Sequence, residues 1–218
     1  MVDSIGYDST VYAIIKPYKA ELEKTMNEVL NISETPMVKG EPEGLLGNFV
    51  ADLILKKSNE YYKKQDTCEI QICILNSGGL RTSLPKGDIN RGKIFELMPF
   101  ENEISILTIT GKKTNELFEF IAKSGGVPVS GVKMGIENGT AVNVFVGEEK
   151  FDSTKTYKVV TSDYLANGGD KYNFFSAPLK RENLGIKIRD AIIEFCVEEK
   201  EKGNSLISKL DGRVFYVR

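Results

Sequence analysis

Three short segments bring together the side chains most suited to chemistry. The first reads Asn76-Ser77-Gly78-Gly79-Leu80-Arg81 and follows an apolar run that ends at Leu75. Adjacent glycines let a ligand approach the backbone and its N–H groups, and the planar Arg81 guanidinium suits a phosphate or a carboxylate. Asn76 offers both donors and acceptors. Taken alone, the segment is explained more simply by a tight turn with Arg81 on the surface than by a ligand site.

A second segment combines an aromatic ring, a glycine pair and a carboxylate in one loop. It reads Ser162-Asp163-Tyr164-Leu165-Ala166-Asn167-Gly168-Gly169-Asp170-Lys171-Tyr172 and follows a strand-like run. The Asp170 carboxylate is suited to accept hydrogen bonds from sugar hydroxyls, and the Tyr164 ring is suited to stack on a base. The alternative is an Asn-Gly turn at Asn167 with Tyr164 in the core.

The third segment is Met98-Pro99-Phe100-Glu101-Asn102, which precedes a predicted strand. The Phe100 ring at this position faces either the core or a pocket. A lone phenylalanine is more often in the core, because burying an aromatic ring is so favourable.

No histidine occurs among the 218 residues, and this limits the chemistry that the chain can perform. Histidine is the commonest metal ligand and the usual general base near neutral pH. We therefore expect no zinc or two-metal hydrolase site within the chain, whereas a carboxylate site for magnesium or calcium remains open. The 29 lysines and arginines nearly balance the 31 aspartates and glutamates, which argues against a nucleic acid polymer as partner.

The three cysteines, Cys68, Cys73 and Cys196, show no CxxC spacing. We expect them to pack or to remain free. The apolar runs all fall short of the roughly 20 residues that span a bilayer. No signal peptide is visible at the start, which fits either a cytoplasmic protein or an exported one whose leader has been removed.

Hydrophobic spacing predicts the elements that position the three segments. Helices are predicted at residues 17–31, 43–64, 91–98, 113–123 and 184–201, and strands at residues 70–75, 104–110, 131–137, 141–147, 156–162 and 213–217. Pro17 is expected in the first turn of its helix. The lysines from Lys56-Lys57 to Lys63-Lys64 are interpreted as a solvated face. The 70–75 run is apolar on both faces, which is typical of a strand buried on both sides.

The consecutive strands between residues 131 and 162 favour a mixed sheet over an all-parallel one. We predict a single α+β domain, of the mixed α/β kind, with a mixed β-sheet flanked by helices over residues 1–218. Residues 1–40 are interpreted as an N-terminal extension and helix, residues 41–176 as the motif-bearing core, and residues 177–218 as a C-terminal helix and strand.

The order and spacing of the motifs resemble the C-terminal domain of the 5′-nucleotidase family, which includes bacterial periplasmic UDP-sugar hydrolases and animal ecto-5′-nucleotidases. The resemblance runs from about residue 41 to about residue 176. Its motifs are Glu43-Gly44-Leu45-Leu46-Gly47-Asn48-Phe49-Val50-Ala51-Asp52, Ile74-Leu75-Asn76-Ser77-Gly78-Gly79-Leu80-Arg81, Pro99-Phe100, Thr110-Gly111, Ser130-Gly131 and Tyr164-Leu165-Ala166-Asn167-Gly168-Gly169-Asp170. The last of these is highly specific, and the ordered set is more specific still.

The resemblance implies a nucleoside or nucleotide as ligand. In the family two aromatic rings clamp the base, and Phe100 and Tyr164 occupy those positions, with tyrosine where phenylalanine is also found. Asp170 stands where an aspartate holds ribose hydroxyls, and Asn76 and Arg81 stand where asparagine and arginine reach the ribose and phosphate. The predicted substrate-binding set also includes Gly78, Gly79 and Asn167.

One departure concerns a further substrate-contacting arginine that the family often has shortly before the Gly-Asn helix. The stretch here is Val38-Lys39-Gly40-Glu41-Pro42. Lys39 offers a point charge but lacks the arginine fork. The phosphate is then held more weakly, or mainly by a partner.

Family members also carry an N-terminal metallophosphoesterase domain with two metals bound by Asp, His and Asn. We find no such domain in this sequence, and therefore expect neither catalytic nor metal-ligating residues in it. Divalent metals are expected only in a partner metallophosphoesterase domain, which is either a separate chain or a part that has been removed from this one. The resemblance implies a periplasmic or cell-surface location, with the membrane reached only through a removed lipoprotein leader.

Three functional hypotheses remain. The first is the substrate-recognition half of a 5′-nucleotidase-type hydrolase. The second is a stand-alone module that binds nucleosides or nucleotides for uptake or sensing. The third is an interaction domain whose pocket has decayed, against which the retained Asn76, Arg81, Phe100, Tyr164 and Asp170 argue.

Overall fold

The computed structural model describes residues 9–62 and 69–217. Its helices are α1 (Ser9–Met26), α2 (Leu45–Tyr62), α3 (Arg91–Leu97), α4 (Gly111–Lys123), α5 (Asp163–Ala166) and α6 (Ile188–Glu201). Its strands are β1 (Val29–Ser33), β2 (Ile72–Ile74), β3 (Gly87–Asn90), β4 (Glu103–Thr110), β5 (Val129–Ser130), β6 (Val132–Glu137), β7 (Thr140–Val146), β8 (Glu149–Lys150), β9 (Thr156–Ser162), β10 (Lys180–Lys187) and β11 (Val214–Tyr216). Short 3₁₀ turns lie at Ser77–Gly79, Gly169–Lys171 and Asn173–Phe175.

The strands of the described segments form three sheets. A five-stranded sheet has the order β10-β4-β9-β2-β5, a four-stranded sheet has the order β11-β6-β7-β8, and β1 pairs with β3. Both larger sheets are mixed, because β2 runs parallel to β9 and β11 runs parallel to β6 while their other pairs are antiparallel. The predicted mixed α/β class is confirmed, although the strands are divided among three sheets rather than gathered in one.

The five-stranded sheet lies between two hydrophobic cores. Cys73 and Leu75 pack into a core shared with α2, α3 and α6, whereas Ile72 and Ile74 pack into a core shared with α4 and the four-stranded sheet. Successive side chains of a strand point to opposite faces. β2 is therefore buried on both sides, as the apolar run predicted, and the first polar segment begins at its carboxyl end.

The cysteines behave as expected where they are described. Cys73 and Cys196 are buried and free, and burial raises the pKa of both thiols above the ordinary range. A thiol held protonated in this way is a poor nucleophile. Cys68 lies outside the described residues.

Two predicted helices have the wrong bounds. The helix predicted at residues 17–31 begins earlier, so that Pro17 lies inside α1 and not in its first turn, and residues from Val29 onward form β1. The helix predicted at residues 184–201 begins only at Ile188, because residues 180–187 form β10 and pair with β4. In both cases a distant strand partner decides the conformation, and local hydrophobic spacing carries no information about that partner.

The solvated-face interpretation is wrong for Lys57. Its side chain is 2% exposed, and its Nζ lies 2.7 Å from carboxylate oxygens of Glu194 and Glu198 on α6 and 3.1 Å from Glu60. The aliphatic stem of a lysine can be buried while its charged end reaches partners. Lys57 therefore joins α2 to α6, whereas Lys63 and Lys64 lie outside the described residues.

Candidate functional site

A cleft of about 340 Å³ opens where the two polar segments leave the five-stranded sheet. β2 and β9 are parallel neighbours, with Ile72 opposite Val159, so the loops that follow their carboxyl ends lie side by side. This is the edge of an α/β sheet at which ligands usually bind. The cleft is lined by Asn76, Gly78, Gly79, Arg81, Phe100, Asn102, Tyr164 and Asp170. Seven of the eight predicted site residues are in this group.

Asn76 connects the two loops that line the cleft. Its Nδ2 donates a hydrogen bond to Asp170 Oδ2 at 2.5 Å. The glycine at position 79 leaves room for this side chain, because a Cβ there would lie 2.8 Å from Asn76 Oδ1. The loop after β2 thus holds the carboxylate of the loop after β9.

Tyr164 and Asp170 form the second contact of this network. The Tyr164 hydroxyl donates a hydrogen bond to Asp170 Oδ1 at 2.8 Å, and this bond raises the pKa of the tyrosine above its usual value. The tyrosine ring lies against the backbone of Gly169, since a Cβ at that position would overlap with Tyr164 Cζ. Asp170 itself has a left-handed backbone with φ of 50°, a conformation that aspartate and asparagine adopt more readily than most residues.

The rings of Phe100 and Tyr164 are each 44% exposed and line the same cleft. The alternative interpretation of these rings as core residues is therefore wrong. An apolar ring left half in water has lost much of the free energy that burial would provide. Two such rings in one concave site leave aromatic surface available to a ligand.

The buried Arg189 binds the residues on either side of Phe100. The residue is 5% exposed, and its guanidinium carbon lies 4.1 Å from the centre of the Phe95 ring. It donates hydrogen bonds to the Pro99 carbonyl at 3.4 Å and to the Glu101 carboxylate. Hydrogen bonds from Lys187 and Arg189 lower the pKa of Glu101 to about 2. The residues on either side of Phe100 are thus anchored to the start of α6.

Asp163 links the two segments that carry the rings. Its Oδ1 accepts hydrogen bonds from the backbone N–H of Glu103 at 3.1 Å and from that of Tyr164 at 2.8 Å. One carboxylate oxygen therefore fixes the start of β4, just after the Phe100 segment, relative to α5, which carries the second ring. Sequence reasoning missed this bridge, for which the only local signal is an acidic residue at a helix start.

The remaining predicted residues are placed differently. Arg81 is exposed, and within the described residues its guanidinium contacts the Gly78 carbonyl at 3.3 Å, which leaves the charge at the rim of the cleft. Asn167 does not line the cleft; its Oδ1 accepts a hydrogen bond from Arg181 at 2.7 Å. Lys39 lines a separate cavity of about 20 Å³. Asn102 lines the cleft but was not predicted, although it is two residues from Phe100.

The first motif of the sequence, Glu43 to Asp52, binds the C-terminal segment and does not line the cleft. The Glu43 carboxylate accepts hydrogen bonds from the backbone N–H groups of Asp211 and Gly212 at 2.8 and 3.0 Å. Asp52 receives two bonds from the Arg213 guanidinium, at 2.6 and 2.9 Å. In this fold the motif therefore holds the C-terminal segment in place.

Two properties of residues 9–62 and 69–217 bear on the class of protein. They contain no group of three or more His, Cys, Asp or Glu side chains that could hold a metal ion. Their helices are all too short or too polar to cross a membrane.

Known relatives and solved structures resemble the chain over most of its length. It is 29% identical over 219 residues to the trifunctional nucleotide phosphoesterase protein YfkN of Bacillus subtilis, covering 90% of this chain and 14% of that protein. It is 21% identical to the cell wall protein Lmo0130 of Listeria monocytogenes, covering 98% of this chain and 30% of that protein. The crystal structure of a 5′-nucleotidase precursor from Thermus thermophilus shares the fold, with a TM-score of 0.80 and 24% identity over 97% of this chain and 44% of that one.

The chain spans less than half the length of each of these proteins. Its similarity is therefore to one part of them. The family model described as 5′-nucleotidase, C-terminal domain, matches residues 24–177, which is more than half of the chain. The match covers every residue that lines the cleft. The chain belongs to the 5′-nucleotidase family through this C-terminal domain.

Proposed function

We propose that the chain binds the nucleoside part of a nucleotide in the cleft and presents the phosphate to a metal-bearing domain that hydrolyses it. The observation that carries the proposal is the placement of two half-exposed rings, Phe100 and Tyr164, beside the Asp170 carboxylate in one cleft. A base offers flat faces for stacking, and a ribose offers hydroxyl donors to a carboxylate. Arg81 at the rim is the group suited to a phosphate.

The size of the cleft supports a ligand of nucleoside dimensions. Its volume of about 340 Å³ lies near the lower end of the roughly 300–1,000 Å³ that small-molecule sites occupy. The cleft is open on one side, so the chain encloses less of a ligand than the roughly 70–90% that is usual. We therefore expect weak binding by this chain alone.

The chain's own residues do not fit a two-metal hydrolase centre. The sequence has no histidine, and the described segments hold no cluster of three potential ligands. We assign the metal ions and the activation of water to a separate metallophosphoesterase domain. The residues of this chain bind and orient the nucleotide, with Asn76 and Asp170 on the ribose and the rings on the base.

Calorimetric titration of the chain with adenosine and AMP tests the proposal. Stacking contributes roughly 1–3 kcal/mol per base, so Phe100→Ala and Tyr164→Ala should each raise Kd for adenosine by roughly 5- to 150-fold. An exposed charge contributes about 0–1 kcal/mol, so Arg81→Ala should change the Kd for adenosine or AMP by about fivefold at most. Adenosine and AMP should bind within about tenfold of each other, because the phosphate lacks its metal site.

The matched control is Phe145→Ala, which removes a ring that is 37% exposed and lies outside the cleft. Its Kd for adenosine should equal that of the wild type. AMP bound far more tightly than adenosine, with the advantage lost in Arg81→Ala, would contradict the assignment of the phosphate to another domain. Turnover of AMP by the purified chain with added manganese or zinc would contradict it as well.

We also propose a periplasmic or cell-surface location. The support is the resemblance to exported nucleotidases and the name of the Listeria relative, a cell wall protein. Fractionation of the source cells, followed by protease treatment of intact cells, tests the location. Recovery of the full-length protein in the cytoplasmic fraction alone would contradict it.

A further inference from the structure

Within the described part of the chain, the Asp170 carboxylate carries one hydrogen bond on each of its oxygens. Oδ2 accepts from Asn76 at 2.5 Å and Oδ1 accepts from the Tyr164 hydroxyl at 2.8 Å. An ionised carboxylate has about four lone-pair positions, two on each oxygen. One lone pair therefore remains on each oxygen, and the carboxylate lines the cleft.

Two free lone pairs on neighbouring oxygens match the two donors of a vicinal diol. The torsion that rotates an aspartate carboxylate is broad, so the direction of these lone pairs depends on what the oxygens already bind. Asn76 alone fixes one oxygen and allows rotation about that contact. The tyrosine hydroxyl fixes the second oxygen and with it the orientation of the group.

The donor of this second contact is itself well held. The Tyr164 ring packs on Gly169, its backbone N–H is bound by Asp163 at 2.8 Å, and it lines the cleft with 44% exposure. A tyrosine hydroxyl, with a usual pKa of about 10, is protonated and able to donate at neutral pH, and the hydrogen bond to Asp170 raises the pKa of Tyr164 further. The ring can therefore stack on a base while its hydroxyl holds the carboxylate.

We infer that Tyr164 is a positioning residue for ribose: its hydroxyl orients the Asp170 carboxylate to receive both hydroxyls of a ribonucleoside, so that it sets the preference for ribose over deoxyribose. This inference rests on the proposed nucleoside site. A phenylalanine at position 164 would keep the stacking surface and remove only the orienting bond.

The test compares adenosine, 2′-deoxyadenosine and 3′-deoxyadenosine on the wild-type chain and on Tyr164→Phe. A hydrogen bond to a charged group is worth about tenfold or more in affinity, so the wild type should prefer adenosine over each deoxynucleoside by about that factor. In Tyr164→Phe the preference should fall to about threefold or less, since the lone pairs are no longer aimed. The Kd of 2′-deoxyadenosine should rise by a smaller factor than that of adenosine, because it keeps only one hydroxyl for the carboxylate while the stacking ring is retained.

Tyr216→Phe is the matched control. Tyr216 is 54% exposed and its hydroxyl donates to the Gly125 carbonyl at 3.3 Å, outside the cleft. This variant should keep the wild-type preference. An undiminished ribose preference in Tyr164→Phe would overturn the inference while leaving the nucleoside site intact. Tighter binding of adenosine by Tyr164→Phe would overturn it too, because the hydroxyl would then compete with the ribose.

A measurement without ligand separates this inference from the proposed function. The difference between the tyrosinate titrations of the wild type and Tyr164→Phe isolates the ionisation of Tyr164. Its midpoint should lie above the usual tyrosine value of about 10 and should move back toward that value in Asp170→Asn. A wild-type midpoint at the usual value would refute the hydrogen bond and the inference. Failure of the wild type to bind any nucleoside would refute the proposed function, and with it the ribose preference, whatever the titration shows.

Discussion

Replacement of Arg213 should destabilise the chain more than loss of any exposed charge. The Arg213 side chain is 10% exposed and makes five hydrogen bonds. It donates two to Asp52 at 2.6 and 2.9 Å, two to Asp211 at 2.9 and 2.8 Å, and one to the Val129 carbonyl at 2.9 Å. These contacts join the C-terminal segment to α2 and β5.

The expected cost of Arg213→Met follows from which charges would be left behind. Removing one member of a buried ion pair costs about 3–5 kcal/mol, because the remaining charge is uncompensated. Asp52 and Asp211 are 49% and 35% exposed and can take up water once the guanidinium is gone. We therefore expect the lower end, about 3 kcal/mol, which corresponds to a fall in Tm of roughly 6–12 °C for a domain of this size.

The control for Arg213→Met is Arg213→Lys. One ammonium group keeps the charge but cannot serve three acceptors in the arginine geometry. Its cost should be about half that of the methionine variant. Urea unfolding followed by far-UV circular dichroism measures both, since the chain has no tryptophan. An unfolding free energy of Arg213→Met within about 1 kcal/mol of the wild type, near the value of a surface pair, would refute the reasoning.

The pH dependence of the unfolding free energy supplies a second test of the Arg213 prediction. The hydrogen bond from Arg213 lowers the pKa of Asp211 below its usual value. A depressed folded-state pKa contributes stability that is present above the unfolded value of about 3.9 and is lost as the pH falls through the folded pKa. The stability difference between the wild type and Arg213→Met should thus be constant near neutral pH and should shrink below about pH 4. A difference that grew on acidification would contradict this origin.

Two further predictions concern the ring-bearing segments. Gly169→Ala should weaken adenosine binding by about fivefold or more, because its Cβ would overlap with Tyr164 Cζ. Gly78→Ala should have a smaller effect on adenosine binding, since its Cβ would meet no atom closer than 3.5 Å. Equal Kd values for the two variants would contradict this prediction. Asp163→Ala should raise the Kd for adenosine about three- to tenfold by releasing the N–H groups of Glu103 and Tyr164. The Kd of Asp163→Asn should stay within about twofold of the wild-type value, because its amide oxygen still accepts both hydrogen bonds. Equal losses of affinity in both variants would show that the charge of Asp163, and not its role as a hydrogen-bond acceptor, is required.

The residue types of the cleft were predictable because they occur in local sequence motifs. An asparagine and glycine pair after an apolar run, and a tyrosine six residues before an aspartate in a glycine-containing loop, are visible without coordinates. The same holds for α3, α4, β4 and β9, whose hydrophobic spacing and bounds agree closely with the structure. Amphipathic spacing succeeds there because each element buries one face or both against a large core.

What sequence could not decide was which distant elements pair. The predicted helices extend into the first residues of β1 (29–31) and the last residues of β10 (184–187), because the strand partners β3 and β4 lie tens of residues away in the chain. The solvated-face interpretation fails at Lys57 because two of its glutamate partners, Glu194 and Glu198, come from α6, more than 130 residues later. Neither error could be corrected from local propensity, since the compensating contacts are tertiary.

The sequence by itself therefore determined seven of the eight residues that line the cleft, the mixed α/β class, and the absence of histidine from the chemistry of the chain. Tertiary structure alone decided that Asn76 meets Asp170 across 94 residues of chain, that Tyr164 also binds that carboxylate, and that Asn167 does not line the cleft. The physical reason is that β2 and β9 lie side by side in the sheet. Residues close in sequence supply the functional groups of each motif. How those groups are oriented relative to one another depends on which strands pair through hydrogen bonds.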